Sequence, residues 1–328
     1  MTGAENLTVA PPPAMPVKAE ATTELKSPAS PLPTVQEFDA NTCSVDDLVV
    51  ALKTAGGVVI RNLLTPQALG AIEADVRPWL EKDKPWNGDF FPPETRRVTG
   101  LLTKSETFAL DLVGHKLWIG VVDALLTSEF PRNWVGDKQE ASVGKPQLNN
   151  TIVFSIGPGA RDQALHRDDQ IHQVSHRAVA AHEMGRDYGI GFFVAGKPTT
   201  KANGATRFIP GSHLWDYEEG PPREDQAFYA ELGAGDGFMM LSGCFHGGSA
   251  NKTVDQERLV YSCFFTRSWL RQEENQYLIH DLEKLRKLPL WLIERAGWSL
   301  SPPFLGWTSL EDPIAHLFPE KAGSKDMF

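Results

Sequence analysis

Apolar residues at Val45, Leu48, Val49 and Leu52 fall on one face of a helix, behind Ser44, whose hydroxyl can cap the first turn. Gly56-Gly57 close that helix, and Val58-Val59-Ile60 reads as a short buried strand. Thr65 followed by Pro66 marks a second helix, with Leu69, Ile72, Val76 and Leu80 as its stripe and an end near Lys82. Phe108, Leu112, Leu117, Val121, Val122 and Leu125 predict a third over residues 105–128. From about Gln147 the pattern changes. Apolar runs at 151–156, 188–194, 205–209, 236–241 and 259–265 follow one another with Gly and Pro between them and no alternating helices. That order predicts a mainly β protein with flanking helices, a sandwich or jelly roll rather than a doubly wound sheet. A last helix is predicted over 272–296, interrupted at Pro289.

Residues 1–35, rich in Pro, Ala, Thr and Glu, offer few large apolar groups to offset ordering entropy and read as a flexible arm. Residues 36–328 read as one domain: a helical part to about 146, a β core over about 147–270, and a C-terminal helix and tail over 271–328. The loop at 83–96 carries Trp86, Phe90 and Phe91 between prolines and glycines, and could cover a pocket or pack on the surface. A net charge of -10 argues against nucleic acid, which wants a basic face. No apolar run approaches the roughly 20 residues of a membrane span. The cysteines, Cys43, Cys244 and Cys263, are odd in number and far apart, and no secretory signal is legible, so a reducing compartment, the cytoplasm, is expected.

The chemistry centres on Gln163-Ala-Leu-His166-Arg-Asp168-Asp169. On a strand, His166 and Asp168 would share a face. A lone His-x-Asp arises often by chance, so a third ligand matters, and His246 in the Gly243–Gly248 turn is the leading candidate. Two neutral imidazoles and one carboxylate suit Fe(II) and leave three positions, two for a bidentate 2-oxo acid and one for O2. A hydrolytic zinc site would need only one. Gly or Ala at 168 would open a position for halide; Asp168 favours oxygenation. Arg258 begins an apolar strand and could clamp a carboxylate in two-pronged fashion, or simply close a turn at the surface. His213 in its Pro-Gly-Ser-His turn reads as structural. His172 and His176 lack a third ligand, which leaves His172 a pocket-lining role. Asp169 could orient a ligand or Arg167, or lie on the surface.

Gln163-x-x-His166-Arg167-Asp168, then Gly204-Ala205-Thr206-x-x-x-Pro210-Gly211-Ser212-His213, then His246-Gly247-x-x-x-Asn251-Lys252-Thr253, then Arg258 together resemble the phytanoyl-CoA dioxygenase-like family. The similarity spans roughly residues 45–312. Gly100-Leu-Leu-Thr-Lys-Ser-x-Thr-Phe108 and Pro302-Pro-x-Leu-Gly-Trp307 are similar to its fungal secondary-metabolism branch, such as the fumitremorgin B endoperoxidase. The resemblance implies a double-stranded β-helix and an Fe(II)/2-oxoglutarate oxygenase. Iron would sit on His166, Asp168 and His246, Arg258 would pair with the 2-oxoglutarate C5 carboxylate, Thr206 would donate its hydroxyl to a carboxylate, and Gln163 would hydrogen-bond the cosubstrate near the metal. It implies oxidation of a bulky apolar small molecule, a terpenoid, meroterpenoid or alkaloid, with release of succinate and CO2. It also implies a homodimer. An acyl-CoA hydroxylase and a non-catalytic metal-binding jelly roll are the alternatives.

Overall fold

The computed structural model describes residues 31–322, so most of the expected N-terminal arm lies outside the described residues. The chain opens with β1 (Gln36–Asp39), α1 (Val45–Ala55), β2 (Gly57–Arg61) and α2 (Pro66–Leu80). Local chemistry sets these bounds. Ser44 Oγ accepts from the Asp47 N–H at 3.2 Å while the Asp47 carboxylate accepts from the Ser44 N–H at 2.9 Å, satisfying two otherwise orphaned donors. Gly56, at φ 77°, ends α1 in the left-handed region. Thr65 caps α2 with Pro66 in its first turn.

After β3 (Thr95–Thr99) the third predicted helix is split. Phe108–Val113 forms a π-helical turn, Gly114 breaks it, and α3 (Lys116–Leu126) starts afresh from an extended His115. A hairpin follows, β4 (Ser128–Val135) and β5 (Lys138–Gly144). Most of its residues are exposed, so no alternation of apolar and polar positions announced it.

The core strands are β6 (Gln147–Ile156), β7 (Gly189–Ala195), β8 (Thr206–Phe208), β9 (Phe228–Ala230), β10 (Gly237–Leu241), β11 (His246–Gly248) and β12 (Arg258–Thr266). Seven strands form one sheet in the order β1-β2-β10-β7-β12-β6-β3, antiparallel except for the β1–β2 pair. The order β11-β8-β9 makes the smaller sheet. Together they are the two halves of a double-stranded β-helix, the form of jelly roll that the family resemblance implied. The large sheet is apolar on both faces. Phe192 of β7 and Phe265 of β12 pack on Trp118 of α3, with ring centroids 5.0 and 5.7 Å away. Their chain neighbours Phe193 and Phe264 face the opposite side and a cavity.

The predicted helix over 272–296 is corrected. Residues 272–281 are irregular, followed by α4 (Leu282–Leu285), α5 (Leu290–Arg295) and α6 (Ile314–Leu317). Tertiary hydrogen bonds outcompete the helix. Glu274 accepts from the N–H groups of Gly100 at 2.6 Å and Thr151 at 3.1 Å, and the Glu273 N–H donates to Asn149 Oδ1 at 2.8 Å.

Candidate active site

The Gln163–Asp169 segment is not the strand its sequence suggested. Only His166 pairs, in an isolated bridge to His246 with reciprocal N–H···O bonds of 2.9 Å. Asp168 then opens a 3-10 helix, Asp168–His172, and its N–H donates to the Ser242 carbonyl at 2.9 Å. The shared face expected of a strand is produced instead by a bridge followed by a turn. The outcome is the same juxtaposition. His166 Nε2 lies 3.4 Å from Asp168 Oδ1, and His246 Nε2 lies 3.3 Å from Asp168 Oδ2.

These three side chains fit a metal ion. One ligand atom from each lies within 4.8 Å of the others. His166 Nδ1 is 2.9 Å from the Ala164 carbonyl and His246 Nδ1 is 3.2 Å from the Cys244 carbonyl. A carbonyl only accepts, so both Nδ1 atoms carry the proton and both Nε2 lone pairs point toward Asp168. Asp168 Oδ2 is buried with no hydrogen-bond donor. Burial pulls the His246 ring below the usual imidazole range, and for His166 the carboxylate of Asp168 outweighs burial and raises it. Burial works against the Asp168 charge, but the two imidazoles hold its carboxyl below its ordinary value.

A cage behind the ligands fixes them. The Arg167 guanidinium lies between the rings of Tyr217 and Phe245, 3.9 and 3.7 Å from their centroids, and donates to the carbonyls of Gly243 at 2.9 Å and Ser212 at 3.1 Å. Tyr217 donates to Asp169 at 2.6 Å. Asp169 is therefore buried and acts on Arg167 through Tyr217, not a surface carboxylate. A Cβ at Gly243 would come 2.4 Å from the Tyr217 oxygen, so the turn before His246 requires glycine. Tyr217 and Phe245 carried no sequence signal. His213 is buried against the Lys53 carbonyl at 3.2 Å, and burial pushes it down to about 4, as a structural histidine.

Beyond the ligands lies a cation. Arg258 is buried at one end of β12, donates to Thr206 Oγ1 at 2.8 Å, leaves its Nε without a partner and has no carboxylate counter-ion among the described residues. Burial alone pulls its guanidinium down to about 10. Gln163 Oε1 accepts from the Gly248 N–H at 3.0 Å, which turns the other end of that amide, a donor, to the cavity. Triad, Arg258, Thr206 and Gln163 all line one cavity of about 160 Å³.

Residues 52–259 match the family model of phytanoyl-CoA dioxygenase. The chain belongs to that family. It is 37% identical to dioxygenase cnsJ of Penicillium expansum, over 89% of this chain and 87% of that one. It is 40% identical to dioxygenase peniF of Penicillium patulum, over 88% and 94% respectively. Among solved structures it is similar in fold to the non-heme alpha ketoglutarate dependent epimerase SnoN from nogalamycin biosynthesis, with TM-score 0.51, 18% identity, and 68% of this chain and 81% of that one covered. The protein is a dioxygenase.

In this member of the phytanoyl-CoA dioxygenase family the cavity walls are aromatic. Asn150, Ile152, Phe154 and Ile156 of β6 line it at every second position, with Phe193, Val260 and Phe264 from β7 and β12. The 83–96 loop covers the pocket: Phe90, Phe91 and Pro92 line it, and Phe91 reaches Phe154 with centroids 5.8 Å apart. Two expectations are corrected. Trp86 does not line the cavity; it braces Phe91 edge-on at 5.8 Å and stacks over Arg97 at 5.2 Å. His172 does not line it either, because the 3-10 turn after Asp168 carries it away to the Arg271 carbonyl, 3.1 Å from Nε2. Asn150 and Glu273, which do line it, were missed.

Proposed function

We propose that this dioxygenase holds Fe(II) on His166 Nε2, His246 Nε2 and the Asp168 carboxylate, takes 2-oxoglutarate as cosubstrate, and oxidises a bulky, largely apolar small molecule. The observation that carries this reading is Arg258: a buried cation without a counter-ion among the described residues, opening on the same cavity as a His-Asp-His set. Iron with 2-oxoglutarate supplies an oxidant from O2, with succinate and CO2 released.

The chain's own residues bind and orient. Arg258 and the Thr206 hydroxyl receive the remote carboxylate of the cosubstrate, where a bidentate guanidinium–carboxylate pair neutralises the buried charge. Gln163, anchored on Gly248, offers its amide donor to the metal-proximal end. The Arg167–Tyr217–Asp169 cage keeps His166, Asp168 and His246 converged. Phe91, Phe154, Phe193 and Phe264 enclose an apolar body, exclude water and choose which C–H bond faces the metal. A zinc hydrolase would leave the Arg258 clamp without a task. The homodimer and cytoplasmic location belong to the same reading. They are supported by exposed Leu305, Trp307 and Leu310 near the C-terminus and by three free cysteines, and light scattering of the purified protein tests the first.

The test of the function is succinate release. Protein loaded anaerobically with Fe(II) and given 2-oxoglutarate, ascorbate and O2 forms succinate, and His166→Ala does not. Absence of iron-dependent succinate in metal-binding protein, with and without candidate metabolites, would sink the reading.

A further inference from the structure

The cleft contains a second charged element that neither the metal nor the cosubstrate uses. Glu273, on the irregular 272–281 segment, and Asn150, on β6, line the main cavity. Both also line a neighbouring cavity bounded by Thr99, Glu274 and Leu278, so they stand where the two meet. Asn150 lies six residues along β6 from Ile156, the register partner of Arg258. At about 3.3 Å per residue that puts the acidic group roughly 20 Å of strand away from the cation. The cleft is thus polarised, with a guanidinium at one end and a carboxylate toward the other.

Five observations give the pair a ligand-binding character. Glu273 Oε2 accepts from Asn150 Nδ2 at 2.5 Å and from Asn149 Nδ2 at 3.4 Å, and no cation among the described residues pairs with it. Asn150 is 4% exposed, yet its Oδ1 has no partner. A carboxylate without a counter-ion and an unpaired buried carbonyl beside aromatic walls are costly unless a cationic donor meets them. The backbone that carries Glu273 is fixed independently, by its own N–H on Asn149 and by Glu274 on Gly100 and Thr151, so Glu273 is not needed to tether the segment. Phe264 stands directly opposite Asn150 in the β6–β12 register and lines the same cavity as Glu273. Burial, with the charges of Asp168 and Glu274 added, pushes the Glu273 carboxyl above its ordinary value despite the Asn150 bond, the direction expected of a carboxylate lacking its counter-ion.

We propose that Asn150 and Glu273 are the substrate-recognition pair of the cleft and that they select a substrate carrying a protonated amine on an otherwise apolar, ring-containing body. This rests on the reading of the cleft as a dioxygenase site whose other end takes 2-oxoglutarate. Glu273 forms the ion pair, Asn150 Nδ2 holds that carboxylate in place, and Asn150 Oδ1 accepts from a second ammonium hydrogen. The face of Phe264 completes the cation's surroundings.

The experiment uses the full chain loaded with Zn(II) and 2-oxoglutarate, so that binding is read without turnover. The probes are tetrahydro-β-carboline, a cyclic amine protonated at neutral pH, and its neutral analogue with oxygen in place of the ring NH. Calorimetry should show the amine binding about tenfold or more tightly than the oxygen analogue, the value of a charge-assisted contact in a sheltered site. Glu273→Gln, which can keep the Asn150 bond, should erase that preference while leaving the 2-oxoglutarate Kd within about twofold. Equal binding of the two probes, failure of both to bind, or a preference that survives Glu273→Gln overturns the proposal. Failure of the underlying dioxygenase reading shows itself separately: unaltered protein then has no metal-dependent 2-oxoglutarate binding, and the amine proposal falls with it.

Discussion

Arg258→Met separates a cosubstrate clamp from a structural arginine, because the two roles predict opposite changes in stability. Arg258 is 5% exposed and has no counter-ion among the described residues, and burial pulls its guanidinium down to about 10. A charge held under those conditions costs about 3 kcal/mol. Methionine keeps an apolar stem of similar length and removes the charge, at the loss of one hydrogen bond to Thr206, worth about 1 kcal/mol. Protein free of metal and cosubstrate should therefore gain about 2 kcal/mol, a rise of a few degrees in Tm. With 2-oxoglutarate the sign reverses. Its remote carboxylate loses a buried partner, which costs about 3–5 kcal/mol, or roughly two to four orders of magnitude in affinity. Scanning calorimetry of the apoprotein and titration with 2-oxoglutarate on Zn(II)-loaded protein measure both arms. A variant that is less stable than its parent and still binds 2-oxoglutarate within about fivefold would refute the clamp.

Two further outcomes follow from the same geometry. Asp168→Ala removes the carboxylate against which both Nε2 atoms converge, so metal affinity should fall by about 100-fold or more and the thermal shift given by Mn(II) should vanish; an undiminished shift contradicts the ligand set. Glu257 accepts from Arg77 at 2.7 Å, Lys197 at 2.5 Å and Ser155 at 2.5 Å; burial opposes its charge, but these donors hold its carboxyl at about 2. A depressed carboxyl gives stability that is complete above the unfolded value near 4.5 and lost as pH falls through the folded one. Glu257→Gln should thus cost about 2 kcal/mol at pH 7 after screening, and urea unfolding should show that deficit shrinking by about half by pH 3. A deficit independent of pH would assign it to packing.

The elements with a local cause were legible from the chain alone. Helices α1 and α2 carry their caps and apolar stripes within a few residues, and β2, β6, β7, β8, β10 and β12 announce themselves by apolar runs between Gly and Pro, whereas β1, β3, β9 and β11 carry no such run. The same holds for donor chemistry: His166, Asp168, His246 and Arg258 stood out by residue type and motif order, and the structure gathers them around one cavity. What the sequence could not decide was every feature settled by non-local partners. His166 meets Asp168 through a bridge to His246 and a turn, not along a strand, because hydrogen bonds to 242 and 246 override the local pattern. Residues 272–281 forgo helix because Gly100, Asn149 and Thr151 take their hydrogen bonds. Tyr217, Phe245 and Trp86 acquired their places only by packing. Asn150 and Glu273, 123 residues apart, became a pair only when β6 and the C-terminal segment closed on the same cleft. Spacing along the chain fixes what a neighbour within one turn or one strand can see; the polarity of this cleft, cation at one end and carboxylate toward the other, exists only after the sheet has folded.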